Sequence, residues 1–149
     1  MKRTIKALTL VVLFATCISW MNCGDDDNPL APSSLAGTWN LVNFTDKENN
    51  VTVNAGEATD IGGGIIFTVT GSLVLTETRY TFTLSITFSI PGFPPDTETI
   101  TSTGTYSISG STLTIVEDGT GETETITIST SGDQFTLEDN EVKLVFQKQ

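Results

Sequence analysis

The chain has 149 residues, with 18 acidic and 7 basic side chains, no histidine and a formal net charge of −11. So acidic a surface repels nucleic acid, and we expect no nucleic-acid partner. The absence of histidine removes the commonest general base and a usual zinc ligand, and the 2 cysteines both lie in the first two dozen residues. We therefore predict no enzymatic activity, no cofactor and no metal site.

The first element in chain order is a secretory signal. Lys2, Arg3 and Lys6 precede an uncharged, mostly apolar run, ALTLVVLFATCISWM, over residues 7–21. This run has the length of a secretory apolar region and is shorter than the roughly 20 residues that a membrane-spanning helix needs. We predict an exported protein with a signal peptide over residues 1–22.

The end of this segment resembles a bacterial lipoprotein signal, in which cleavage occurs before a cysteine that receives diacylglycerol. Two cysteines are candidates, since Cys17 follows FAT and Cys23 follows WMN. The sequence after Cys23 favours the second, because CGDDD and then NPLAPSS have the composition of a solvated tether over residues 23–34. We predict lipid attachment at Cys23, with Cys17 as the alternative, and hence a membrane anchor.

The lipoprotein resemblance also implies a location. Gly24, and not an aspartate, follows the favoured cysteine, and in some Gram-negative lipoproteins this arrangement does not retain the protein in the inner membrane. We expect an outer-membrane lipoprotein that faces the periplasm or the exterior. Without the signal the chain keeps 4 basic and 18 acidic residues, a net charge of −14, which keeps the tethered domain soluble.

A period of two dominates the rest of the chain. In RYTFTLSITFSI, over residues 79–90, six apolar residues alternate with threonine and serine, and no helix keeps such positions on one face. The pattern recurs in two neighbouring stretches. The inward positions of these three strands are Ile65, Phe67, Val69, Gly71, Leu73 and Leu75; Tyr80, Phe82, Leu84, Ile86, Phe88 and Ile90; and Ile100, Ser102, Gly104, Tyr106 and Ile108.

Shorter strands complete the pattern. LAGTWNLVNF opens the domain, and four short strands follow residue 108, separated by the turn sequences SGS, EDGTG, SGD and EDN. Eight or nine antiparallel strands with one polar face must close into a barrel or pack as a sandwich to protect their edges. Successive short hairpins favour an up-and-down barrel. We predict an all-β, antiparallel up-and-down barrel of about eight strands over residues 35–149.

The first strand resembles the lipocalin signature, in which Gly-x-Trp opens the barrel, and Gly37 and Trp39 match it. GTWNLV is also similar to the opening strand of fatty-acid-binding proteins. GTYSISGSTLTI and the ending VKLVFQKQ resemble small bacterial lipocalin-like lipoproteins. The resemblance implies that Trp39 closes the base of the barrel under a basic side chain of the last strand, either Lys143 or Lys148.

Two functions remain open. One is a carrier that holds a small hydrophobic molecule; the other is a packed barrel that serves as a structural or protein-interaction module of the cell envelope without a ligand. An eight-stranded barrel is wide enough for either. Residues 45–64 hold an Asn- and Gly-rich segment where fatty-acid-binding proteins carry a helical lid. For the carrier we expect ligand contacts from Phe88, Ile90, Ile100 and Tyr106, with Phe93 of the loop PGFPPD, residues 91–96, as a partial lid.

Overall fold

The computed structural model describes residues 35–149. The signal peptide, the tether and both candidate lipid-attachment residues, Cys17 and Cys23, lie outside the described residues. Among the described residues no helix is long and apolar enough to cross a membrane. The strands are β1 (Gly37–Asp46), β2 (Val51–Asn54), β3 (Thr59–Asp60), β4 (Ile66–Leu75), β5 (Arg79–Ser89), β6 (Asp96–Ser109), β7 (Thr112–Glu117), β8 (Thr123–Ser131), β9 (Gln134–Glu138) and β10 (Val142–Lys148).

Eight of these strands close into a barrel. Strands β4 to β10 each pair with their neighbours in the chain, and β1 pairs with β10 on one side and with β4 on the other. All of these pairings are antiparallel. The prediction of an all-β, antiparallel up-and-down barrel is confirmed.

The segment over residues 45–64, for which the sequence pattern predicts no strand, contains two short ones. β2 pairs with the second half of β1, and β3 pairs with the start of β4. Between them, the Gly56 N–H donates to the Val69 carbonyl oxygen at 2.7 Å. The segment therefore bridges the gap that opens where β1 leaves β4, and its strands of 4 and 2 residues are too short to give a clear periodic signal.

The two ends of the barrel differ in burial. We call the end with the start of β1 and the turns at residues 76–78, 110–111 and 132–133 the base, and the opposite end, with the loop at 90–95, the open end. Most inward side chains toward the base are nearly fully buried: Trp39, Leu73, Leu75, Tyr80, Tyr106, Leu113, Phe135 and Phe146. Ile108, Ile115 and Ile126, which pair with Leu113 or Tyr106, are partly buried. Several inward side chains toward the open end are only partly buried: Phe44, Ile86, Phe88 and Ile100. Phe67 and Val69, beside the β2–β3 segment, are buried exceptions.

Two inward glycines mark close packing and not open space. A Cβ atom on Gly104 would lie 2.1 Å from the Val116 carbonyl oxygen and 2.8 Å from the Tyr80 ring. A Cβ atom on Gly71 would lie 2.9 Å from the Thr83 carbonyl oxygen. Glycine inside a strand often allows such an approach of neighbouring backbone. Any space for a ligand therefore has to come from the open end.

Candidate ligand site

Trp39 seals the base of the barrel. Its side chain is 2 % exposed, and its indole N–H donates to the Leu35 carbonyl oxygen at 2.8 Å. The ring centroid lies 5.6 Å from that of Phe135. Because the buried N–H has a partner, the indole fills the base without an unsatisfied polar group.

Lys148, and not Lys143, is the basic side chain that covers Trp39. The Lys148 Nζ atom lies 5.2 Å from the centroid of the indole ring, whereas the Lys143 Nζ atom lies 4.0 Å from a Glu138 carboxylate oxygen. Gly37 makes room for this contact, because a Cβ atom there would lie 3.2 Å from Lys148 Cε. Its φ of 140° is also one that residues with side chains rarely adopt. The Gly-x-Trp motif thus joins the first and last strands.

We expect Lys148→Gln to lower the free energy of unfolding by about 0.5–1 kcal/mol, the usual value of an exposed cation–π contact. Lys143→Gln, on the same strand, should cost less, because its partly exposed ion pair contributes little. Urea denaturation of both variants measures the difference. A larger loss for Lys143→Gln would contradict the assignment.

The inner wall toward the open end is apolar and partly aromatic. The Phe67 ring lies 6.0 Å from Phe44 and 5.3 Å from Phe88, centroid to centroid. Ile86 and Ile100 extend the same face on β5 and β6, since Ile86 pairs with Val69, and Leu84 pairs with Ile100. These side chains provide a hydrophobic surface that the described residues leave partly uncovered.

Hydrogen-bonding groups lie between this wall and the base, on the β5–β7 side of the barrel. The Tyr80 hydroxyl and the Ser102 hydroxyl are 2.9 Å apart, and Ser102 Oγ donates to a Glu117 carboxylate oxygen at 3.1 Å. Burial, reinforced by the nearby charge of Glu117, raises the pKa of Glu124 on the neighbouring strand. Within residues 35–149, no cluster of three or more potential metal-ligating side chains is present.

The structure brings four of the five predicted ligand residues to the same half of the barrel. Phe88 and Ile100 lie on the inner wall, on the adjacent strands β5 and β6, and Ile90 and Phe93 lie in the loop at the open end, 43 % and 70 % exposed. Tyr106 lies apart, toward the base. Its hydroxyl donates to the Thr76 carbonyl oxygen at 2.6 Å.

The loop that carries Phe93 has a defined turn. The Phe93 N–H donates to the Ile90 carbonyl oxygen at 3.0 Å. Pro91 occupies the first central position and Gly92, with a φ of 84°, the second, which is the pattern of a type II turn. Pro91 also packs near Gly64. The turn holds the Phe93 side chain at the rim, largely in solvent.

Sequence reasoning did not single out Phe44 or Glu117 as parts of this wall. Phe44 lies beyond a β-bulge between Leu41 and Asn43, which shifts the alternation that Trp39 and Leu41 establish. The alternation does indicate an inward Glu117, because this residue continues the inward series Leu113 and Ile115. Its charge and its position as the first residue of the turn sequence EDGTG favoured a loop interpretation instead.

The described residues form a small closed up-and-down barrel with a tryptophan at one end and an apolar wall toward the other. Barrels of this size enclose either their own side chains or one small ligand. The family model described as a lipocalin-like domain matches residues 35–137, and the chain belongs to this family. No curated protein and no solved structure gives a significant match.

Proposed function

We propose that this protein is a lipid-anchored cell-envelope lipoprotein that binds a small hydrophobic molecule in the open half of its barrel. The observation that carries the proposal is the difference between the two halves. Trp39 and its neighbours are almost completely buried at the base, whereas Ile86, Phe88 and Ile100 keep part of their surface uncovered. Covering this apolar surface contributes favourable free energy, about 25 cal/mol per Å².

The chemistry of the wall indicates the class of ligand. Its charged neighbours Glu117 and Glu124 are acidic, and the Tyr80–Ser102 pair adds hydroxyl groups. Carboxylates on the wall disfavour an anionic headgroup close to them. A neutral, mostly apolar molecule with a single hydroxyl or carbonyl group fits this combination best.

Unlipidated protein should bind an environment-sensitive apolar dye, and Phe88→Ser should weaken the binding about tenfold, because loss of the ring removes on the order of 1.4 kcal/mol of apolar contact. Thr87→Ala is the matched control, since Thr87 lies on the outer face and shares a hydrogen bond with Thr97. Fluorescence titration and stopped-flow release measure both effects. Phe93→Ala should speed release if Phe93 serves as the partial lid.

If no dye binds at micromolar protein concentration and no lipid co-purifies with the protein, the carrier function is contradicted. The packed interaction module would then replace it. Equal weakening by Phe88→Ser and Thr87→Ala would instead place the dye outside the barrel.

The anchor has its own test. Cys23→Ser should abolish labelling by a clickable fatty acid and leave the precursor unprocessed, because the acylated cysteine is also the cleavage site. Cys17→Ser should be processed normally, and the reverse result would move the anchor to Cys17. Protease treatment of intact cells then separates the two proposed orientations in the outer membrane, periplasmic or external.

A further inference from the structure

Strand β6 extends beyond the strand beside it. It pairs with β5 from Asp96 to Thr105 in continuous register, but with β7 only from Gly104 to Ser109. β7 ends at Glu117, and the next N–H, that of Asp118, donates to the Thr103 carbonyl oxygen at 2.8 Å. Beyond this bond, no described strand pairs with the second side of β6 over residues 97–101, which we call the free edge.

Strand geometry shows which backbone groups lie along the free edge. The N–H and C=O groups of one residue point to the same side of a strand, and successive residues alternate. The Thr103 carbonyl points toward β7, and the Tyr106 N–H points toward the β5 side, where it donates to a carbonyl oxygen at 2.9 Å. Thr97, Thr99 and Thr101 therefore direct their backbone N–H and C=O groups away from β5.

The side chains next to the free edge are acidic on the inner face. Asp96 pairs with Phe88 and Glu98 with Ile86 in the β5–β6 register, so both carboxylates lie on the inward side, and both are exposed. Glu122, in the β7–β8 turn, adds another exposed carboxylate on the far side of the gap. The one arginine nearby, Arg79, already pairs with Asp118. The edge therefore combines unpaired backbone groups with an excess of negative charge.

Charge determines which kind of strand fits this edge. Inward carboxylates on an edge strand discourage pairing with another copy of the same strand. A second copy would bring Asp96 and Glu98 near their own counterparts, and the described chain is strongly acidic throughout. A basic segment meets the same carboxylates with opposite charge, and cross-strand pairs of opposite charge are stabilising.

We propose that the free edge of β6 binds an extended, basic segment of a partner protein by strand addition. The main chain of the segment pairs with Thr97, Thr99 and Thr101, and its alternate side chains, lysine or arginine, lie beside Asp96 and Glu98. The next residue on the same face of the segment, beyond the one beside Glu98, is apolar and faces Ile100. This surface adjoins the wall that the ligand proposal uses, since Asp96 pairs with Phe88 and Ile100 belongs to both. Amide protection of Thr97, Thr99 and Thr101 and binding of the apolar dye are nevertheless separate measurements, so either proposal can fail without the other.

The test uses full-length protein in a zwitterionic detergent and a short peptide in which two lysines and then one isoleucine occupy alternate positions, separated by threonine. Binding should protect the amide hydrogens of Thr97, Thr99 and Thr101 from exchange, as measured by NMR. A peptide with glutamate in place of lysine should not bind. Thr99→Pro should weaken binding about tenfold or more, because it removes an edge N–H while the β5 pairing, which uses the other side of the strand, is kept.

Glu98→Lys is a second variant that does not depend on the tolerance for proline, since this side chain is exposed. This substitution should weaken binding of the lysine peptide several-fold and strengthen binding of the glutamate peptide. Binding without amide protection, or binding that a folded Thr99→Pro variant leaves unchanged, would reduce the effect to general charge attraction and overturn the proposal. Absence of binding by the lysine peptide, or equal binding of both peptides, would overturn it as well.

Discussion

Phe82→Asp is expected to unfold the barrel. Phe82 lies on the inner face of β5, opposite Leu73 on β4 and Ser102 on β6, with its ring centroid 6.4 Å from that of Phe146. Removal of a core phenylalanine alone costs about 3–5 kcal/mol, and placing a carboxylate among apolar side chains adds its desolvation cost. Because domains of this size are stable by only about 5–15 kcal/mol, the loss should approach the total.

Thr83→Asp, one residue along, is the control. Thr83 lies on the outer face, opposite Ser72 and Thr101, where a carboxylate remains hydrated, and we expect a cost of about 0.5 kcal/mol. Circular dichroism and urea denaturation compare the two variants. Similar losses would contradict the strand register, because a shift of one residue exchanges the two faces of a strand.

The strand faces could be predicted because alternation is a local property. The inward series from Tyr80 to Phe88 follows from period two alone, and the register pairs each of its members with an inward residue of β4. The up-and-down order followed from short turns between consecutive strands. Each of these inferences needs only a few neighbouring residues.

Features that depend on distant residues could not be predicted in this way. Alternation places Lys148 on the same face of β10 as Leu144 and Phe146, and Lys143 on the other face, but the contact of Lys148 with the indole depends on the pairing of β10 with β1, which sets Trp39 opposite Lys148. Tyr106 reads as an inward aromatic residue like Phe88, but the direction of β6 places it toward the base. The free edge of β6 was partly indicated by strand length, since β7 has 6 residues and β6 has 14. The prolines and aspartate at residues 94–96 obscured where β6 begins.

Gly104→Ala is expected to be the most damaging substitution of a single methyl group in the domain. The backbone conformation of Gly104 is not the obstacle, because its φ lies outside the positive range in which other glycines of this chain occur. The obstacle is the carbonyl oxygen of Val116, 2.1 Å from the position of the new Cβ atom. Since β6 and β7 pair at this point through Gly104 and Glu117, the two strands would have to separate. We expect a loss of about 3 kcal/mol or more, the upper end of overpacking costs.

Two further variants identify the cause of this loss. Thr105→Ala changes the exposed outward neighbour and should cost about 0.5 kcal/mol or less. Tyr80→Leu combined with Gly104→Ala should not restore stability, because removing the ring leaves the nearer contact with the Val116 carbonyl oxygen in place. Denaturation midpoints measure all four proteins, including the parent. Recovery in the double variant would show that the tyrosine ring, and not the approach of the β7 backbone, is what requires glycine at position 104.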